Sequence, residues 1–252
     1  MTQKILTVIA VIVFSFAFTF APNTETASTI SEPSSLTEEG ISTENITTEK
    51  LSIDEEISIL YKIFSENNAS IPSPESFSNG MKGYYKLLDK GLVKKEILTI
   101  IDFNLSSTQK RMWVLDMKNN EVLIHSVVSH GKNTGGEFAT QFSNTLNSLQ
   151  SSLGFYVTGE TYMGGNGYSL FIDGMEKEFN SRARERYVVI HGAAYANPES
   201  IKNLGRLGRS YGCPAVPTAI TKEFIDTIKD KSVVYIHSNN KIYAERSEMI
   251  RA

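Results

Sequence analysis

The sequence predicts a mostly β domain, sandwich or barrel-like, with a few helices and a short α-helical segment in front of it. Two observations lead there. Short β-branched runs, most of them separated by glycine-rich or polar loops, recur from Glu96 to Ser238. Helix-period apolar stripes are confined to two places, 52–88 and 217–230. Apolar residues make up 40% of the 252, charged residues 21%, and the net charge is −3. That is an ordinary globular composition, with no basic excess to suggest a nucleic-acid partner.

The chain opens MTQKILTVIAVIVFSFAFTFA, where Lys4 precedes an apolar run from Ile5 to Phe20. A cleaved signal peptide is the favoured reading and an uncleaved N-terminal anchor the alternative. A membrane attachment is expected only if the segment stays uncleaved. Either way the rest of the chain is expected outside the cytoplasm, in the cell envelope. Residues 23–50 are rich in Ser, Thr and Glu and nearly free of large apolar side chains, so they read as a disordered tether.

A helical preface is expected over 51–95. Ser52-Ile53-Asp54-Glu55 has the form of a capping box, and Ile53, Ile57, Leu60, Tyr61 and Phe64 follow at helical spacing. The prolines of IPSP, 71–74, interrupt the pattern, which Phe77, Met81, Tyr84, Tyr85 and Leu88 resume. From 96 to about 245 strands dominate. EILTIIDFN is one; RMWVLDMKNNEVLIHSVVSHG reads as a hairpin turning near Lys118-Asn119-Asn120; LGFYVTGE, GYSLFIDG, RYVVIHG and SVVYIHS follow. After Pro217, Ile220, Phe224, Ile225 and Ile228 form one late amphipathic helix.

The chemistry-bearing residues gather late in the chain. Cys213 is the single cysteine. An exported chain uses cysteines mostly in pairs, so a lone one reads as half of an intermolecular bridge, as a free reactive thiol, or as a buried, inert apolar side chain. His191 ends the strand RYVVIHG, 22 positions earlier. An imidazole beside a thiol can take its proton and create the thiolate that acyl transfer needs. Pro214 follows the cysteine and has no N–H, so an oxyanion hole must use the amides of Tyr211, Gly212 or Cys213. No histidines have ligand spacing with thiols or carboxylates, so neither a metal nor another cofactor is expected.

Four segments in order, VSHGKNTG, FSNTLNSLQSSLGFYVTGE, RARERYVVIHGA and GRLGRSYGCPAVP, resemble the murein L,D-transpeptidase catalytic domain, the YkuD-like family. The resemblance spans roughly 97–238 and points to a branch with an aromatic, Tyr211, where the wider family has a second motif histidine. It implies that Cys213 is the nucleophile, His191 the general base, the Gly192 carbonyl the group orienting that base, and the amides of Gly212 and Cys213 the oxyanion hole. Ser210 matches the hydroxyl before the cysteine. The 18 residues between His191 and Ser210 are slightly more than usual in the family.

The implied substrates are peptidoglycan stem peptides, as donor and acceptor, and the implied reaction is 3→3 crosslinking through a cysteine thioester. Trimming by an L,D-carboxypeptidase, transfer to a protein amine and a non-catalytic peptidoglycan-binding module stay open. A papain-like protease has the opposite Cys–His order, and the caspase context is absent.

Around the site, Arg206 and Arg209 read either as a clamp for a substrate carboxylate or as solvated loop charges. Tyr211 is expected to touch substrate. Arg182, Arg184 and Arg186 read mostly as surface or structural charges, with a substrate role open for one. His130 reads as structural, with a place at the cleft as the alternative; His125 and His237 read as packing residues. The SSLG turn, 151–154, reads as a donor-groove loop or a plain turn, and Tyr156 and Tyr162 as core.

Overall fold

The computed structural model describes residues 51–251, so the signal or anchor and the tether expected over 1–50 lie outside the described residues. Helix α1 (Ile53–Asn67) starts where the capping box predicts. The Ser52 hydroxyl accepts from the Glu55 amide, and the Glu55 carboxylate accepts from the Ser52 amide at 2.8 Å. Asp54, Glu55 and Glu56 crowd its first turn, where the helix dipole favours negative charge. Helix α2 (Pro74–Asp89) begins on a proline that fits the first helical position, capped by Ser73.

Eight strands follow, β1 (Ile97–Asp102), β2 (Met112–Asp116), β3 (Glu121–Ser126), β4 (Gly154–Gly164), β5 (Gly167–Gly174), β6 (Val189–Gly192), β7 (Ala215–Val216) and β8 (Val233–His237). They form one sheet in the order β3-β2-β1-β8-β4-β5-β6-β7. β1 runs parallel to β8, and β6 parallel to β7, while the other pairs are antiparallel. The chain leaving β3 crosses to the far edge. Ser129 bridges Ala215, its N–H donating to the Ala215 carbonyl at 2.8 Å, and Gly131 bridges Ser210. These contacts draw the two ends of the sheet together into a near-barrel, which protects both edges.

The preface helices share the sheet's core. Ile57, Phe64, Phe77 and Met81 belong to one buried cluster with Ile100, Phe155 and Tyr235. Gly83 faces the Phe155 ring so closely that a Cβ there would overlap it. Phe155 in turn stacks on Tyr235, with ring centroids 4.3 Å apart.

The strands read from sequence are present. β7 was not expected, and neither were the short helices α3 (Glu199–Leu204) and α5 (Lys241–Arg246). Each is too short to show a period. The late amphipathic stripe becomes α4 (Thr221–Ile228), with Phe224, Ile225 and Ile228 buried.

Candidate active site

β6 carries His191 and Gly192 to the end of the near-barrel, and β7 receives the chain just after Cys213. Their parallel register pairs His191 with Ala215 and Gly192 with Val216. Cys213 therefore lies two residues before the partner of His191, level with Val189. The His191 ring is 2% exposed. Its Nδ1 lies 3.0 Å from the Gly192 carbonyl, a bond that requires the proton on Nδ1 and leaves the lone pair on Nε2. That Nε2 makes no hydrogen bond and, unlike those of His130 and His237, is not sealed from solvent. Burial is the main influence on the ring and lowers its pKa, against the raising effect of the Gly192 carbonyl.

Cys213 as a residue is half-buried, and its sulfur packs against backbone. It accepts from the Val189 N–H at 3.4 Å and donates to the Tyr187 carbonyl at 3.4 Å, so it rests on the backbone entering β6. No hydrogen bond joins it to His191 in this state. Burial pushes the thiol pKa up; the Val189 amide, the Arg186 guanidinium and the cysteine's own amide act the other way. Tyr187, which holds the thiol proton, has φ 53, a conformation costly for a tyrosine.

Gly212 is buried at φ +128, and a Cβ there would lie 2.8 Å from the Gln150 carbonyl oxygen, so the loop needs glycine twice over. Its carbonyl accepts from Ser151 Oγ at 3.0 Å and its N–H donates to Ser210 Oγ at 3.0 Å. Ser210, 5% exposed, passes its own hydroxyl proton to the Cys213 carbonyl at 2.6 Å. The Gly212 amide is thus occupied in this state. Among the described residues, the amides of Cys213 and Tyr211 meet no acceptor. The loop is pinned from outside as well, for Ser210 N donates to the His130 carbonyl at 3.0 Å and Lys132 N to the Ser210 carbonyl at 2.7 Å.

A family model described as the L,D-transpeptidase catalytic domain matches residues 68–237, more than half of the chain. The chain belongs to that family. No curated protein matches it. Among solved structures it is similar to an L,D-transpeptidase from Mycobacterium smegmatis, with 13% identity, 57% of this chain and 59% of that one covered, and a TM-score of 0.35. It is also similar to an Enterococcus faecium L,D-transpeptidase with a cysteine-to-serine substitution, at 17% identity, 57% and 50% covered, TM-score 0.34. A third is an L,D-transpeptidase fragment from Xylanimonas cellulosilytica, at 12% identity, 73% and 93% covered, TM-score 0.34. The chain spans 59% of the first of these and 50% of the second.

Other side chains of the L,D-transpeptidase domain sort by what they touch. Tyr211, two positions before Cys213, stands 74% exposed, the most open of the candidate substrate contacts. Arg209 uses Nη1 on the carbonyls of Lys132 at 3.0 Å and Gly135 at 2.9 Å, and Arg206 turns Nη1 back on the Leu207 carbonyl. Arg209 therefore braces the loop. Ser151 to Gly154 are buried, and Ser151 supports the loop from behind through the Gly212 carbonyl.

His130 is buried too, its Nδ1 2.8 Å from Arg111 Nη2. Burial first, then the Arg111 charge, brings its pKa down to about 4. His125 stacks on Trp113 at 4.8 Å, and His237 Nδ1 meets the Tyr235 hydroxyl at 3.1 Å. Among the described residues no His, Cys, Asp and Glu cluster could hold a metal ion. Two contributors escaped the sequence reading. Tyr195 sets its ring edge-on to His191 at 6.5 Å and fills the space over Gly208. Arg186 lies behind Gly212, and only its alternation with Arg182 and Arg184 had drawn attention to it.

Proposed function

We propose that this domain is a cysteine acyltransferase acting on peptidoglycan stem peptides in the cell envelope. The observation that carries the reading is the paired end of β6 and β7. His191, with its proton on Nδ1, stands on β6, and Cys213 precedes β7 by two residues, level with Val189.

Rotation about χ1 of Cys213 frees the sulfur from Tyr187 and Val189 and turns it toward Nε2 of His191. His191 takes the thiol proton while sulfur attacks the carbonyl of the L-centre of a diamino acid in a tetrapeptide stem. The Cys213 amide, joined by Tyr211 or by Gly212 once it releases Ser210, receives the oxyanion. The C–N bond to terminal D-alanine breaks, and the proton on His191 goes to the leaving amine. An amine of a second stem then attacks the thioester and yields its proton through His191. The new amide is a 3→3 crosslink, and the sulfur is released. Water in place of the amine gives a trimmed stem by the same steps, and a protein amine gives attachment.

One observation favours a second reading, a non-catalytic stem-binding module, and it is the sulfur's contact with backbone in place of His191. The test is product analysis after incubating the protein with purified tetrapeptide muropeptides. Crosslinked dimers from the wild type, none from Cys213→Ala, and a rate 10²–10⁴-fold lower for His191→Ala are the expected results. Trimmed stems without dimers make the enzyme an L,D-carboxypeptidase, and equal stem binding with no product from either chain supports the module.

A further inference from the structure

Arg186 is half-buried beneath the nucleophile loop, and its hydrogen-bond partners are all neutral. Nη1 donates to the Ser143 carbonyl at 2.6 Å and reaches Ser152 Oγ at 3.4 Å; Nη2 donates to the Gln150 carbonyl at 2.5 Å and to Ser148 Oγ at 3.1 Å. The other two arginines of the alternation sit in ion pairs, Arg182 with Glu185 and Arg184 with Glu160 and Asp173. Among the described residues no carboxylate comes within ion-pair distance of Arg186.

A half-buried cation without a counter-charge has lost part of its hydration, and carbonyl dipoles offset only part of that cost. The ionisable groups around Arg186 are Tyr156, Arg182 and Cys213. Arg182 is a cation. Tyr156 is fully buried, its hydroxyl bonded to Ser152, and burial pushes its pKa far up. That leaves the Cys213 thiolate, formed when the thiol gives up its proton, as the one counter-anion among these groups. The geometry brings the two residues together from both sides: Arg186 Nη2 lies 3.5 Å from where a Cβ on Gly212, the residue before Cys213, would stand, and the Cys213 thiol donates at 3.4 Å to the carbonyl of Tyr187, the residue after Arg186.

We propose that Arg186 is the built-in counter-charge of the Cys213 thiolate, fixed behind the loop by backbone carbonyls. It acts through Cys213 and not on substrate, so it is a positioning residue. The other titratable groups near Cys213 are Tyr195, His191 on β6, and Tyr211 two positions before it in the chain. His191 is held neutral by burial and the tyrosines carry no positive charge, which leaves Arg186 as the one permanent cation at the thiol among the described residues. An arginine in this place raises the thiolate fraction against the effect of burial. The proposal rests on Cys213 being the nucleophile, but its test does not require peptidoglycan activity.

The test is the pH dependence of Cys213 alkylation by iodoacetamide in the full chain, read by intact mass. With one cysteine in the sequence, each adduct is unambiguous. Arg186→Gln is expected to move the midpoint up by about one pH unit, giving a roughly tenfold slower reaction at pH 7, and Arg186→Lys to restore most of that. An unchanged midpoint in folded Arg186→Gln overturns the proposal. A second pair guards against loss of the fold. Ser148→Asp sets a competing carboxylate on Nη2 and is expected to raise the midpoint, while Ser148→Asn leaves it in place. Equal midpoints for those two overturn the proposal as well. If Cys213→Ala instead keeps full transpeptidase activity, it is the nucleophile assignment that fails, and the alkylation midpoints still report on Arg186.

Discussion

At the scale of single residues, the candidate site combines groups that are easy to read with others that are not. Cys213 stands out because it is the single cysteine in the sequence and sits among glycines. His191 was legible through the strand that ends on it. Arg186 was not, because its role depends on Gln150, Ser143 and Ser148, which the chain brings in from 36 to 43 positions away. Nor does sequence show that the Gly212 amide is spent on Ser210 while the Cys213 amide is free.

Two predictions belong to this scale. Gly212→Ala forces a side chain onto φ +128 and against the Gln150 carbonyl. It is expected to cost about 1–3 kcal/mol in a urea titration and to abolish acylation. Because burial lowers the His191 pKa, the acid limb of the acylation rate should fall below pH 6.5, the value of a free imidazole. An acid limb at or above that value, measured by rapid quench with a stem tetrapeptide, would remove the neutral-imidazole starting state.

At the scale of elements, the strands were readable wherever both faces are buried, as in β1 and β8, whose residues are all core. β7 was hidden because Pro214 and Pro217 bracket its two residues, leaving no run to see. Yet β7 fixes the register of Cys213 against His191. The preface helices were readable from their caps, but their depth in the core was not, since it depends on the approach of Gly80 and Gly83 to the sheet. Gly83→Ala drives a methyl group into the Phe155 ring, which Tyr235 holds from the other side. A loss of about 1–3 kcal/mol is expected, with a lower Tm at unchanged far-UV circular dichroism. A neutral outcome would mean that α2 can lift from the sheet without cost.

At the scale of the whole molecule, all four histidines, His125, His130, His191 and His237, have pKa values lowered chiefly by burial. In the pH range between their native values and 6.5 the unfolded chain binds protons that the folded chain refuses. Stability therefore falls as pH drops through that window. His130 alone, moving from 6.5 to about 4, accounts for at most about 3 kcal/mol of this loss. Buried Glu176, with its pKa raised, has the opposite sign. Its contribution is complete at low pH and declines as pH rises through its folded value, which partly offsets the loss. Urea midpoints from pH 7 down to pH 4 should fall for the wild type and fall less steeply for His130→Gln. Parallel lines would contradict the assignment.

The near-barrel closes at the same bridges, Ser129 to Ala215 and Gly131 to Ser210, that hold the loop around Cys213. The most direct measurement is the intact mass of the protein after brief exposure to a diamino-acid tetrapeptide. A gain equal to the tripeptidyl acyl group, released by hydroxylamine and missing in Cys213→Ala, is the predicted result. A wild-type mass that never changes while free D-alanine accumulates would show that the reaction proceeds without the covalent sulfur intermediate.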